Sequence, residues 1–298
     1  MKRIVIVDLA GGIGNQIFLF EMANFISRID NRVILINKSH IDKKHSNGNS
    51  TIEDFILPVH AKFFNLYNVI RIFYVKLGLV LKILNQFKQS IFLVLDESYN
   101  LGSSADIRNI VLQRNPKIIL VTGFWQNFSY WHDDFDYKLK VEGSRYKELL
   151  NRLSTENPVV VHYRIGRING AWENPWGALS PKYVIESLNS LEKEDKNFRP
   201  IWIFSNDINE AKNLFSTTNF APSNTVFVDD SELRPSEIIL LLSKSWALIC
   251  SNSTFSIVAA KIGKVPNVTV PSNLSRTRQS NILFPVSWHK VTSEWLDA

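Results

Sequence analysis

Residues 3–36 read RIVIVDLAGGIGNQIFLFEMANFISRIDNRVILI. An apolar strand pattern covers 3–8, a glycine-rich loop follows, and an apolar periodicity typical of a helix runs over 16–27 before a second strand at 32–36. This strand–loop–helix–strand order is the unit from which parallel sheets covered by helices are built. Two further strands in the first half are predicted over 91–95 and 118–122.

The second half of the chain repeats the alternation of strands and helices. Strands are predicted over 159–163, 201–205, 225–228, 247–250 and 266–270, and helices over 181–191, 209–215, 235–243 and 254–262. This order implies a mostly parallel sheet covered on both faces. The sequence therefore predicts an α/β fold with two domains, residues 1–150 and 151–298, that face a cleft, with their boundary in the charged stretch 140–157.

Composition limits the class of protein. The chain has 298 residues, of which 45% are apolar and 21% charged, which is ordinary for globular proteins and sufficient for two cores. The single cysteine, Cys250, excludes a disulfide framework and a cysteine-based zinc site within one chain, and it favours a reducing compartment. The N-terminus is interpreted as a first strand rather than a signal peptide, because its apolar run is short and leads into the glycine loop.

The net charge of +6 suits an anionic partner such as a nucleotide diphosphate, nucleic acid or an anionic lipid surface. Nucleic acid is the weakest of these interpretations, because the basic residues are scattered and no recognised module is visible. No stretch of eighteen uncharged apolar residues occurs, so no membrane-spanning helix is predicted.

One basic, apolar segment, 62–88, lies within a region from Phe55 to Leu95 that contains no acidic residue. Such a segment can lie on an anionic membrane surface. The alternative is an amphipathic helix packed on a sheet with its lysines in water. The expected location is the cytoplasm, with peripheral contact at the inner face of the cell membrane as the second interpretation.

The glycine loop does not fit a dinucleotide site. Gly12-x-Gly14-x-x-Ile17 lacks the third glycine of the fingerprint, and no acidic residue ends the second strand, which argues against an NAD-dependent dehydrogenase. The glycines still allow a ligand to approach the backbone at a helix N-terminus. Asn15 and Gln16 are placed there to bind a sugar or a phosphate, although Asn15 is also a candidate N-cap residue.

Three strand ends in the second half carry polar side chains. His162 and Arg164 alternate along one strand and share a face, and the planar guanidinium suits a diphosphate. The alternatives are a satisfied core histidine and a surface ion pair. The hydroxyl-rich run 251–256 before a helix predicts an anion site or a simple N-cap, and Asp207 before another helix has the same two interpretations. Together these residues predict a diphosphate site.

Six segments, taken in order, resemble the bacterial α-1,2-fucosyltransferases (glycosyltransferase family 11-like), which are related to the α-1,6- and protein O-fucosyltransferases. They are AGGIGNQIFLFEMA at 10–23, GFWQN at 123–127, VVVHYRIG at 159–166, GALSPKYV at 177–184, IFSNDINEAK at 203–212 and LICSNSTFSIVAAKIG at 248–263. The resemblance implies two Rossmann-like domains of the GT-B type, with the acceptor on the N-terminal domain and the donor mainly on the second. It also implies inverting sugar transfer from a GDP-sugar, with neither a cofactor nor a metal.

The resemblance assigns the donor contacts residue by residue. Arg164 matches the first arginine of the family's His-x-Arg-Arg-Gly-Asp motif and would hold the diphosphate, and His162 matches the histidine on the nucleoside side. Ser253, with Thr254 and Phe255, matches the phosphate-binding turn. These residues define the expected donor site.

Further matches concern the base and the sugar. Asp207 and Glu237 match acidic positions near the guanine, and Gly14, Asn15 and Gln16 match the N-terminal loop that faces the sugar.

The arginine motif departs from the family pattern. The family's second arginine is Ile165 in this chain, and its aspartate is Arg167. We interpret Arg167 as a donor contact that restores the lost positive charge, because residues 165 and 167 share a face wherever the strand extends that far. The departure also fits a different nucleotide-sugar donor or a catalytically weakened protein that binds a nucleotide or a glycan.

The acceptor hydroxyl must lose a proton, usually to a carboxylate. Glu173, nine residues after Arg164, is the predicted base, as in the related α-1,6 enzymes, and Trp172 is placed to stack on the acceptor; a solvated loop is the alternative for both. The predicted function is α-1,2-fucosyl transfer to a galactose-like unit of a surface glycan of the O-antigen or capsule type, built on a lipid carrier.

Overall fold

The computed structural model describes residues 2–38, 52–64, 92–97, 103–132, 135–165, 177–194, 199–218, 224–277, 282 and 284–296. The chain divides into two compact units, Met1–Lys138 and Leu139–Ala298. Each unit contains one parallel sheet with helices, so the predicted α/β fold is confirmed.

The first unit contains a five-stranded sheet in the order β3-β2-β1-β5-β4. Its strands are β1 (Ile4–Asp8), β2 (Val33–Asn37), β3 (Ala61–Phe64), β4 (Phe92–Asp96) and β5 (Ile118–Thr122), and its helices are α1 (Ile13–Asp30) and α2 (Ser104–Arg114). All neighbouring strands run parallel. The strand order reverses between β1 and β5, which is where sheets of this type leave a crevice outside their carboxyl ends.

The second unit contains a six-stranded sheet in the order β11-β10-β9-β6-β7-β8. Its strands are β6 (Val159–His162), β7 (Ile201–Phe204), β8 (Thr225–Phe227), β9 (Ala247–Ile249), β10 (Asn267–Pro271) and β11 (His289–Val291). Its helices are α3 (Ser144–Glu156), α4 (Pro181–Glu194), α5 (Ile208–Ser216), α6 (Pro235–Ser243) and α7 (Thr254–Gly263). Here the order reverses between β6 and β9, so a second crevice is expected at their carboxyl ends.

Burial explains the apolar strands of the second sheet. Every residue of β6, β7 and β9 is buried, as expected for parallel strands covered on both faces. Val161, Ile203 and Ile249 pack on one core with Tyr183 and Leu188 of α4. This core fixes the strand ends that carry the polar side chains.

Some elements differ from their predicted limits. Helix α1 begins at Ile13, three residues earlier than predicted, and its N-cap is Gly12, so Asn15 lies inside the first turn and is not the cap. The stretch 140–157, predicted as a domain boundary, contains α3, which buries Tyr146, Leu149 and Leu153. Elements β3, α2 and β11 had not been predicted.

The helices of the described ranges include none that is both long enough and apolar enough to cross a membrane. Of the segment 62–88, predicted to contact a membrane, residues 62–64 belong to β3. The remainder lies outside the described residues.

Candidate functional site

The reversal point of the second sheet brings His162 to the turn after β9. His162 Nδ1 lies 3.0 Å from Ser251 Oγ, and the tautomer of the ring decides which group donates. The imidazole also stacks on the ring of Phe255, with centroids 5.1 Å apart and planes inclined by 23°. His162 is therefore held on its edge by a hydroxyl and on its face by an aromatic ring.

The environment keeps the His162 ring neutral. Burial, and secondarily the positive charge of Arg164, lowers the pKa of His162 from 6.5 to about 3. At neutral pH the ring is therefore an uncharged hydrogen-bonding group. It contributes no positive charge toward an anion and is a poor proton acceptor.

Arg164 supplies a positive charge at the N-terminus of α7. Its side chain is exposed, and Nη1 donates to Ser253 Oγ over 3.3 Å. Ser253 is the buried N-cap of α7, and its Oγ accepts the Phe255 N–H at 3.3 Å. Thr254 is the first residue of this helix. A guanidinium and a helix N-terminus thus meet at one point, which is a favourable place for an anion.

The two contacts confirm that His162 and Arg164 face the same side, because both reach the turn 251–253. Asn206, at the end of β7, was not assigned a role from the sequence. Its Oδ1 accepts the Ile165 N–H at 2.8 Å, and its Nδ2 donates to the Ile165 carbonyl at 3.0 Å. The amide thereby fixes the backbone directly after Arg164; its position at a strand end was the available signal.

Strand alternation does not place Arg167 on the donor face. Strand β6 ends at His162, so alternation along it does not reach residue 167. Ile165 is buried in the core with the apolar side chains of the second sheet. Arg167 itself lies outside the described residues, as do Trp172 and Glu173.

The two acidic residues predicted near the guanine have different environments. Asp207 is exposed and caps α5, because its Oδ1 accepts the Glu210 N–H at 3.0 Å. Glu237 is buried; its Oε1 accepts the Gly143 N–H at 2.7 Å, and its Oε2 accepts the Arg234 N–H at 2.9 Å.

Burial alone would raise the pKa of Glu237, but the hydrogen bonds from Arg234 and Gly143 outweigh burial and lower it. The carboxylate thus joins the first turn of α6 to the residue that precedes α3. No described contact joins it to the Arg164 side chain.

In the first unit, Gln16 is internal. Its Nε2 donates to the Gly11 carbonyl at 3.0 Å, and its Oε1 accepts the Ile52 N–H at 3.1 Å. Gly14 is buried in the first turn of α1. Asn15 is half-buried, and its Oδ1 accepts a hydrogen bond of 2.9 Å from Gln126 Nε2. Of the three residues predicted to face the sugar, Asn15 is the one with side-chain exposure.

Clusters of three or more histidine, cysteine, aspartate or glutamate side chains able to hold a metal do not occur within the described ranges.

Solved structures are similar to this chain at low sequence identity, whereas no family model and no curated protein matches it. A point mutant of FUT1 from Arabidopsis thaliana, in complex with GDP, is similar with a TM-score of 0.53 and 13% identity, covering 91% of this chain and 70% of that chain. Fucosyltransferase NodZ from Bradyrhizobium gives a TM-score of 0.47 and 12% identity, covering 90% and 95%. The E. coli ADP-heptose LPS heptosyltransferase II gives 0.43 and 12%, covering 97% and 93%. The similarity to FUT1 establishes the fold.

Proposed function

We propose that this protein is a glycosyltransferase that binds a GDP-sugar at the carboxyl edge of its second sheet. The observation that carries the proposal is the contact between Arg164 and Ser253 at the N-terminus of α7, beside the neutral His162 ring. A guanidinium and a helix N-terminus together suit a diphosphate. The GDP complex of FUT1, which has a similar fold, supports GDP as the nucleotide.

In the proposed reaction, fucose moves from GDP-fucose to a hydroxyl of a galactose-like unit in a surface glycan, forming an α-1,2 linkage. The bond between the sugar C1 and the β-phosphate oxygen breaks, and its electron pair stays on GDP. Arg164 and the N-terminus of α7 stabilise this developing negative charge, which is a principal source of rate enhancement in such transfers. A metal is not required for this step.

The acceptor oxygen forms the new bond to C1 from the opposite face, so the configuration inverts. Its proton passes to a carboxylate, for which we propose Glu173. His162 remains neutral and contacts the nucleoside, while Trp172 stacks on the acceptor and Arg167 adds positive charge near the diphosphate. The acceptor is proposed to be lipid-linked, with peripheral membrane contact through 62–88.

The first experiment is calorimetric titration of the purified protein with GDP, and with UDP as a control, in the absence of added metal. We expect micromolar GDP affinity and weaker UDP affinity. Arg164→Ala should weaken GDP binding by about 10- to 100-fold, the range of a lost charge-assisted hydrogen bond. Arg108→Ala removes the same charge from an exposed position on α2 and should leave the affinity unchanged.

Each outcome separates one interpretation from another. A preference for UDP would contradict the guanine assignment and point to another nucleotide-sugar donor. Binding of neither nucleotide would contradict the transferase proposal as a whole. An Arg167→Ala variant with unchanged donor affinity would remove Arg167 from the site.

Turnover is then measured with GDP-fucose and a galactoside acceptor. Glu173→Gln should lower kcat by about 100-fold or more, the usual contribution of a general base. Full activity in this variant would exclude Glu173 as the base. GDP binding without any turnover in the wild-type protein would favour the second candidate, a nucleotide- or glycan-binding protein. This candidate is suggested by the arginine motif, in which Ile165 and Arg167 stand where the family has an arginine and an aspartate.

A further inference from the structure

The first unit carries a polar and aromatic surface at the carboxyl ends of β1 and β5, where the strand order reverses. It consists of Gly11, Gly12, Asn15, Phe124 and Gln126, and we call it the amide–aromatic patch. Phe124 and Gln126 have no role in the proposed donor site.

The two amides of the patch form a polar pair. Gln126 Nε2 donates to Asn15 Oδ1 over 2.9 Å, and both side chains are half-buried. Asn15 Nδ2 and Gln126 Oε1 make no hydrogen bond with the described residues, so a donor group and an acceptor group remain on the two paired amides. Two neighbouring sugar hydroxyls, each able to donate and accept, complement such a pair.

The ring of Phe124 lies beside this amide pair. A Cβ added at Gly11 would lie 3.3 Å from Phe124 Cε1 and 2.6 Å from Asn15 Nδ2, so the ring and the amide meet at the same backbone position. Phe124 is 42% exposed, so its ring is accessible from solvent. An exposed ring next to hydrogen-bonding groups offers an apolar face to the C–H side of a pyranose.

The backbone that presents Phe124 is fixed on both sides. The Phe124 N–H donates to Glu97 Oε2 at 2.7 Å. The next residue, Trp125, has φ 50°, in the left-handed region, and its buried indole N–H donates to the Thr122 carbonyl at 2.6 Å. A non-glycine residue held in this conformation costs about 1–3 kcal/mol and is common at ligand sites.

The charges near the patch disfavour an anionic ligand. The carboxylate of Glu97 is in contact with the patch, because it accepts the Phe124 N–H, and Asp8 and Asp96 end β1 and β4, the two strands on either side of β5. A cation at this edge, Lys38, is paired with Glu53 at 2.8 Å. The patch therefore suits an uncharged, hydroxyl-rich ligand.

We propose that the amide–aromatic patch binds an uncharged pyranose, with Asn15 and Gln126 on two adjacent hydroxyls and Phe124 against the C–H face. The identity of this sugar as the acceptor rests on the proposed function. Binding of the sugar itself needs neither the nucleotide nor turnover, so it is measured independently.

The test uses ligand-observed NMR titration of the full chain, without nucleotide, with the methyl glycosides of galactose, glucose and mannose. The methyl glycoside of galacturonic acid is the matched anionic probe, because it differs from the galactoside only at C6. At least one neutral glycoside should bind, and the anionic probe should bind at least about fivefold more weakly than the galactoside. Absence of binding by all three neutral glycosides, or preference for the anionic probe, would overturn the proposal.

Asn15→Asp is the decisive variant. The new carboxylate still accepts from Gln126 Nε2 but lacks the Nδ2 donor, so sugar affinity should fall by at least about fivefold. Asn127→Asp is the control, because it makes the same chemical change at the residue next to Gln126 in the chain, where Asn127 Oδ1 accepts the Ser129 N–H at 2.8 Å. Equal sugar binding by both variants and the wild type would overturn the assignment.

A second variant tests whether the bound sugar lies close to Gly12, without disturbing the fold. A Cβ at Gly12 would meet no atom within 4 Å, and the residue has φ −69°, so Gly12→Ala should keep the fold and cost at most about 1 kcal/mol, because alanine is a poorer N-cap residue than glycine. A sugar seated on the patch would meet the added methyl group, and its affinity should change by about threefold or more. An unchanged affinity would place the sugar elsewhere.

The failure of this proposal is distinguishable from failure of the donor proposal. Sugar binding without GDP binding would contradict the donor site and leave the patch assignment standing. GDP binding without sugar binding would overturn the patch alone.

Discussion

Burial of the neutral His162 ring makes the stability of this protein depend on pH. The unfolded histidine has a pKa of 6.5 and the folded one a pKa of about 3, so between these values the unfolded state binds more protons. The free energy of unfolding should therefore fall as the pH is lowered through this window, by up to about 1.4 kcal/mol per pH unit.

His162→Gln should remove this contribution. Urea denaturation of both proteins between pH 4.5 and 7.5 gives the difference. We expect the variant to lose less stability on acidification than the wild type, and parallel curves would contradict a neutral buried ring. The comparison must be made between the two proteins, because Glu21 acts in the opposite direction.

Glu21 is a buried carboxyl that sequence reasoning did not single out. Burial raises its pKa from 4.5 to about 7, although Tyr137 and Asn24 hydrogen-bond to it at 2.6 and 3.5 Å. Because the folded pKa is raised, this group favours the folded state below about 4.5 and loses that effect as the pH rises toward 7. An acidic residue in an otherwise apolar helix stretch, 17–23, was the available signal.

Asp207 has two possible roles that one pair of variants separates. Asp207→Ala removes the N-cap of α5 and should cost about 1 kcal/mol of stability. Asp207→Asn keeps a cap and removes the charge, so it should preserve stability. If Asp207 also binds guanine, the asparagine variant should bind GDP about tenfold more weakly by calorimetry. Unchanged GDP affinity would leave Asp207 as a cap alone.

At the scale of elements, the packing of α6 on α7 depends on Gly263. A Cβ at this position would lie 1.8 Å from the Ser243 carbonyl oxygen, which belongs to the backbone and cannot rotate away. Gly263→Ala should therefore push the two helices apart and destabilise the protein by about 1–3 kcal/mol. Thermal unfolding measures this, and Gly12→Ala provides a glycine-to-alanine control in open space. Equal melting temperatures would contradict the close approach.

The elements that sequence patterns predicted best are the strands buried on both faces. Strands such as β6 and β9 are nearly uninterrupted apolar runs, and their ends were predicted to within a residue. Helix α3 was missed because its charged residues suggested a linker, although Tyr146, Leu149 and Leu153 carry the spacing of a buried helical stripe. Strand β3 is short and only half-buried, so its sequence carries little pattern.

The site could be predicted only in part, for a physical reason. Strand ends indicate which side chains reach a sheet edge, and this placed His162, Arg164 and Ser253 correctly in one cluster. Sequence does not reveal which amides pair across loops that are far apart in the chain. The contacts of Asn206 with Ile165 and of Gln126 with Asn15 therefore emerged only from the structure.

At the scale of the whole molecule, the described residues of the proposed donor site all belong to the unit Leu139–Ala298, which has its own sheet and core. Compact units with a complete core generally fold alone. We expect the fragment 139–298 to unfold cooperatively and to bind GDP within about tenfold of the full chain, as measured by circular dichroism and calorimetry. An unfolded fragment would show that its core depends on the rest of the chain.

Gly11 and Gly12 are neighbours with opposite tolerance for a side chain. Gly11 has φ 70° and no room for a Cβ, whereas Gly12 has an ordinary conformation and open space. Selection for folding alone would retain glycine at the first position and let the second drift among small residues. If natural variants keep glycine at both positions, a molecule that binds next to position 12, rather than folding, excludes a side chain there. Comparison of natural sequences at position 12 therefore reveals this constraint without an assay.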